Sequence, residues 1–170
     1  MLPSWTSSAR EIELSLPFAG LWLARNSPAR RVPSHGSDLV GERYAIDFIG
    51  VDDRHRTVGI RDWRTFFATE PPERFFAFGQ PILAPGSGTV ADVHDNELDH
   101  EGRRTTLALV PYTLGQAARL RQGVGAIAGN YVTISLPEGS SFVALAHLQT
   151  GSIGQEVVED QQIANCGKLT

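Results

Sequence analysis

Apolar and polar residues alternate in short runs along this chain, and clusters of Pro, Gly and Ser separate the runs. From Glu11 to Leu16 the alternation puts Ile12, Leu14 and Leu16 inward and Glu11, Glu13 and Ser15 outward, the period of a half-buried strand. "GLWLAR" at 20–25 is a second apolar run, stopped by the loop "NSPARRVPSHGS". The run from Tyr44 to Ile49 reads as a strand with Tyr44, Ile46 and Phe48 on one face and Ala45, Asp47 and Ile49 on the other. "TVGIRDW" at 57–63 follows. "QPILAPGSGTVADVHD" then predicts two strands joined by a tight turn at Pro85–Gly88, where the turn chemistry lies. "GNYVTISL" at 129–136 and "SFVALAHL" at 141–148 predict a second hairpin, closed by Pro137–Ser140.

Two stretches interrupt the regularity. Residues 64–80 are rich in phenylalanine around a Pro-Pro break. Residues 96–128 pass from the charged patch "NELDHEGRR" into "LGQAARLRQ", which has the character of a short helix; connections that long usually carry function. The predicted fold is mainly β, built from antiparallel strands.

Length and composition narrow the class. A chain of 170 residues suits one domain, 1–170, with a sizeable core. Hydrophobic content of 41% and charged content of 20% are globular values. A net charge of −4 lacks the basic face that nucleic-acid binding needs. The single cysteine, Cys166, excludes an internal disulfide framework and a cysteine zinc cluster, and reads as a small core residue. No run approaches the roughly 18–20 apolar residues of a membrane-spanning helix. The first twenty residues lack a basic segment followed by a long apolar one, so no signal peptide is expected; taken literally, that describes a cytoplasmic chain.

Candidate chemistry centres on Asp47. On a face expected to be buried between Ala45 and Ile49, its carboxylate costs roughly several kcal/mol unless something compensates the charge. His35, in the glycine turn "SHG", makes the better ligand pair with it than any other histidine, since zinc accepts imidazole nitrogen and carboxylate oxygen. Twelve residues separate the two, so a loop must bring His35 back over the strand. Among the other histidines, His55 and His100 lie in charged loops and read as solvated surface. His94 ends a strand beside Asp95. His147, near the end of "ALAHL", reads by itself as a hydrogen-bonded structural residue; alternation places it with Ser141, Val143 and Leu145, opposite Phe142, Ala144, Ala146 and Leu148. Pattern alone reaches an all-β domain with a candidate metal site.

Together these residues resemble the lysostaphin/LytM-type zinc metalloendopeptidases, in order along the chain. "SHG" at 34–36 and "RYAIDF" at 43–48 look like the family's His and Asp zinc ligands, further apart than in the commoner short spacing. "FGQPILAPGSGTVADVHD" at 78–95 is similar to its strand–turn–strand. "GNYVTI" and "ALAHL" resemble the next two strands, the second with a catalytic histidine, and "GQEVVEDQQIANCG" at 154–167 resembles the closing segment. The resemblance implies an antiparallel sheet or barrel-sandwich of the duplicated hybrid motif type. It implies zinc held by His35 and Asp47, a bound water with its pKa lowered toward about 7, and His147 as general base or oxyanion stabiliser. The implied substrate is the peptide cross-link of peptidoglycan, in the cell wall or another extracytoplasmic setting.

The departures define the alternatives. The family continues past the equivalent of Gly167 into a strand with His-x-His, which supplies the third zinc ligand and a second catalytic histidine. This sequence ends "ANCGKLT" and has no His-x-His; Lys168 stands where Asn is usual and Asp160 where Gly is common. The domain is therefore expected to be incomplete at its C-terminus and inactive as it stands, with an exposed sheet edge available for self-association. A second reading is a non-catalytic LytM-like module that binds a partner or a cell-wall peptide. A third notes that "GQEVVEDQQIA" also resembles the closing strands of biotinyl and lipoyl carrier domains. Those need a lysine at a hairpin tip, which neither "PGSG" nor "PEGS" supplies.

Overall fold

Val132 and Ile134 alternate with Tyr131 and Thr133 along one strand, and the computed structural model buries the first pair completely while leaving the second half-buried. The structure describes residues 12–36, 38–59, 70–99, 128–137, 141–154 and 158–167. Within them the fold is mainly β and antiparallel: β1 (Trp22–Arg25), β2 (Asp47–Gly50), β3 (Pro81–Leu83), β4 (Thr89–His94), β5 (Asn130–Ser135), β6 (Phe142–Leu148) and β7 (Gln162–Asn165). They form three sheets, ordered β1-β2, β3-β7 and β4-β5-β6. Short 3-10 helices cover Leu39–Tyr44 and Pro72–Arg74. Among the described residues no helix is long and apolar enough to cross a membrane.

The main core lies between the three-stranded sheet and the β3–β7 pair. Ile82, Ala84, Val132, Ile134, Leu136, Leu148, Ile163 and Ala164 are buried together, with Val90, Val143, Leu145, Ile153 and Cys166 packed against them. The hairpin of β5 and β6 is the one expected, closed by Leu136 N–H donating to Ser141 O. Cys166 is a core residue, and burial pushes its thiol up to about 11. A smaller cluster of Val51, Val58, Phe75 and Ala77 is also buried, with Val58 bridged to Phe75.

Three expectations are corrected. β3 and β4 are not a hairpin: β3 pairs with β7, β4 pairs with β5, and residues 84–88 carry the chain between sheets. Gly88 explains the exchange, because a Cβ there would collide with the Ser135 carbonyl oxygen and Ile134 Cγ2; the close approach of β4 to β5 requires glycine. Residues 12–16 are not a strand, and Ile12, Leu14 and Leu16 are exposed rather than inward. That segment crosses the end of β3, bonded through Ser15 N–H to Pro85 O, with Leu83 N–H donating to Pro17 O. Pro17 has no N–H to extend the ladder. Finally, Tyr44 closes a 3-10 helix and the strand begins only at Asp47. The short helix expected within 96–128 lies largely outside the described residues, as does the end of "TVGIRDW".

Candidate metal-ligand pair and the bulge histidine

The loop between β1 and β2 builds the His35–Asp47 pair. Arg25 stands opposite Asp47 in the register of the ribbon, and Asn26 follows with φ +46°. That left-handed backbone turns the Asn26 side chain toward Asp47, and its Nδ2–H donates to Asp47 Oδ2 at 2.7 Å. The loop returns through Ser34, which is fully buried; its N–H donates to Arg43 O, tying "SHG" to the 3-10 helix. The helix Leu39–Tyr44 shortens the twelve-residue span, and His35 Nε2 comes to 3.0 Å from Asp47 Oδ1.

The sequence brings His35 and Asp47 together as expected, but not on a buried face. The Asp47 side chain is 44% exposed and that of His35 21%. The pair sits at the end of a two-stranded ribbon, where the Asp47 carboxylate stays open to solvent.

Hydrogen-bond donors decide the chemistry of the pair. Ser34 Oγ–H donates to Glu42 O at 2.9 Å, which uses its single hydrogen. Ser34 Oγ also lies 3.0 Å from His35 Nδ1, so Nδ1–H is the donor of that bond. In the neutral imidazole Nε2 then carries a lone pair, so that two acceptors face each other at 3.0 Å. Positive charge between them, a proton or a metal cation, turns that contact from repulsive to attractive. A tetrahedral zinc with bonds of 2.0–2.1 Å would set its nitrogen and oxygen ligands about 3.3 Å apart, within a small adjustment of the present spacing. The outer bonds fit as well: a ligating imidazole donates its other N–H, and a ligating carboxylate is itself hydrogen-bonded.

The order Ser34–His35–Asp47 is not a nucleophilic triad. There the base takes the serine proton through Nε2 and the aspartate holds Nδ1. Here the nitrogens are reversed, and the serine hydroxyl is buried and directed at a backbone carbonyl.

His147 lies on a different sheet. Asn130 pairs with Leu148 and Tyr131 with Ala146, so His147 is the extra residue of a β-bulge, with φ +59°. A left-handed backbone at a residue other than glycine costs roughly 1–3 kcal/mol and gathers at functional positions; bulges re-aim side chains beside active sites. The bulge breaks the expected alternation: Val143 and Leu145 pack on the core as read, but Leu148 is buried too, although alternation placed it with the exposed Phe142, Ala144 and Ala146. The His147 ring lies against the backbone of Gly129, with Nδ1 3.8 Å from where a Cβ would be.

His94 ends β4, stacked on Tyr131 with centroids 5.7 Å apart and its Nε2 3.5 Å from Glu97 Oε1. Tyr131 in turn donates to Asp92 Oδ2. His55 sits in an exposed turn, and His100 lies outside the described residues. Among the described residues no group of three or more His, Cys, Asp or Glu side chains is gathered to hold a metal. Searched against family models, characterised proteins and solved structures, the chain matches none of them.

Sequence reading missed Ser34 and Asn26. Ser34 precedes the histidine directly, and Asn is a residue that tolerates the left-handed turn after a strand. Both signals were present but had no partner until the loop closed.

Proposed function

We propose that the chain is a zinc metalloendopeptidase domain of the lysostaphin/LytM type, acting on peptide bonds of peptidoglycan cross-links, with His35 and Asp47 as metal ligands and His147 as the general base or oxyanion-stabilising residue. One observation carries the reading: His35 Nε2 faces Asp47 Oδ1 at 3.0 Å while Ser34 and Asn26 hold the opposite atoms of both groups. A bound zinc would supply Lewis acidity for a peptide carbonyl and a water acidic enough to ionise near neutrality. Ser34 fixes the imidazole plane and its tautomer. Asn26 fixes the rotation of the carboxylate. His147, on a bulge rather than a regular strand position, would take or return a proton at the reacting peptide.

The test is calorimetric titration of zinc into the wild-type chain and into His35→Ala, Asp47→Ala and His147→Ala. Weak binding that disappears in the first two variants and survives in the third supports the reading. Stoichiometric tight binding that persists in His35→Ala would sink it.

A specific observation also favours the second reading, a non-catalytic LytM-like binding module. The described residues gather two ligand side chains, not three, and a zinc site normally takes at least three protein ligands. Chelator-sensitive hydrolysis of peptidoglycan peptides by the purified chain would eliminate that module reading.

A further inference from the structure

Beside the His35–Asp47 pair lies a concavity of about 320 Å³ lined by Asn26, Ser27, Arg30, Arg31 and Ser34. Two of these residues, Asn26 and Ser34, are the ones that hold Asp47 and His35. The hollow and the ligand pair therefore have Asn26 and Ser34 in common.

The loop around it is built, not slack. Ser27 O accepts from the N–H groups of both Arg30 and Arg31, at 3.0 and 3.4 Å, and Ser27 Oγ accepts from Ala29 N–H at 3.2 Å. Arg31 Nε–H donates to Ser34 O at 3.0 Å, which pins that guanidinium and leaves its Nη groups for a ligand. Among the described residues no carboxylate pairs with Arg30 or Arg31. Two adjacent like charges around one hollow, in a chain of net charge −4, make a local positive potential that an anion relieves. Planar guanidinium forks match two-oxygen acceptors.

We propose that this hollow is a carboxylate subsite: Arg30 and Arg31 bind a free carboxylate of the peptide whose neighbouring bond is presented to the metal-ligand pair. The inference rests on the peptidase reading above for the identity of the substrate, and deepens it by assigning an acidic peptide as the preferred class. Arg31 is the preorganised half, and Arg30, exposed and without a side-chain partner among the described residues, is the half that closes on the ligand.

Binding to the full chain tests this without turnover. The probes are N-acetyl-Ala-Glu amide with its free side-chain carboxylate, the matching N-acetyl-Ala-Gln amide, and inorganic phosphate, each followed by the Arg Nε–H resonances. The side-chain acid should bind and the side-chain amide should not. Arg30→Gln should weaken the acid roughly tenfold or more, the scale of a hydrogen bond to a charged group, while leaving zinc binding unchanged. Arg31→Lys, which keeps the charge and removes the fork, should give an intermediate loss. Equal binding of acid and amide, or no effect of Arg30→Gln, overturns the subsite while zinc titration still reports on the ligand pair by itself. Phosphate that competes and binds more tightly than the acid overturns the peptide assignment. Carboxylate preference in a chain that takes up no zinc supports the subsite and overturns the peptidase reading alone.

Discussion

The His35–Asp47 pair and His147 are held by opposite means. His147 belongs to the three-stranded sheet, whose inward side chains Val132 and Ile134 are completely buried and merge with β3 and β7 into one core. His35 and Asp47 belong to a two-stranded ribbon with Leu21 and Leu23 exposed. The ribbon's anchor is an aromatic group: Phe18 stacks on Trp22 at 4.4 Å and meets Phe48 edge-on at 4.7 Å. Ribbons of two strands are marginal without such help. Position in the sheet is therefore set by packing, and position in the ribbon and its loop by polar bonds on either side of the pair, Asn26 to Asp47 and His35 through Ser34 to Glu42. Geometry can be fixed without burial where each polar atom has one partner and little freedom to find another.

Zinc titration should break the comparison most visibly. His35→Ala and Asp47→Ala should abolish binding, whereas His147→Ala, on the other sheet, should leave it nearly intact. Urea denaturation tests the packing side. Ile134→Ala should cost about 2–5 kcal/mol, the range for a large core side chain, against under about 1 kcal/mol for the exposed Leu23→Ala. Equal losses would mean the ribbon is as integral to the core as the sheet.

Ser34→Ala sharpens the contrast from the polar side. It removes the acceptor that fixes His35 Nδ1–H, and should weaken zinc binding roughly 10- to 100-fold, as loss of an outer partner of a metal ligand does. A change below twofold would show that the imidazole is held by something else.

A smaller effect is expected from pH. The Cys166 thiol is raised from about 9 to about 11, first by burial and then by the Asp99 charge. The folded chain thus keeps the thiol proton where the unfolded chain releases it, so stability is full below about pH 9 and falls as pH rises toward 11. Alkaline denaturation curves of wild type and Cys166→Ala check this, since the variant should lose that part of the fall. The smallest effect is expected at the sheet margin. Among the described residues no strand pairs with the outer edge of β6 over 142–146, where Phe142 is 61% exposed. Such edges recruit other chains; light scattering should show concentration-dependent association that Phe142→Lys reduces.

Legibility followed the same division. The β5–β6 hairpin was readable because alternation and the Pro137–Ser140 turn agree. β3 and β4 were misread because the "PGSG" turn chemistry is local, while the strand partners are chosen by Gly88 against Ser135 and by Ala84, bonded through its backbone to Gln161 and Asp160. The pairing of His35 with Asp47 came from chemistry and resemblance, since nothing in the intervening residues announces a 3-10 helix that shortens the span. The burial assigned to Asp47 failed because an apolar run does not say that the end of its strand stays open to solvent. The bulge at His147 has no sequence sign; "ALAHL" reads as a regular apolar strand, and the extra residue exists only relative to Asn130.

Gly167 bears on how this chain can be handled at the bench. Its N–H donates to His147 O at 2.9 Å, and its Cα sits so close to Leu148 that a side chain would strike the backbone. A residue larger than glycine at 167 would therefore push the backbone off Leu148 and disturb the adjoining His147. A label in the exposed turn at Asp53–His55 leaves that contact untouched.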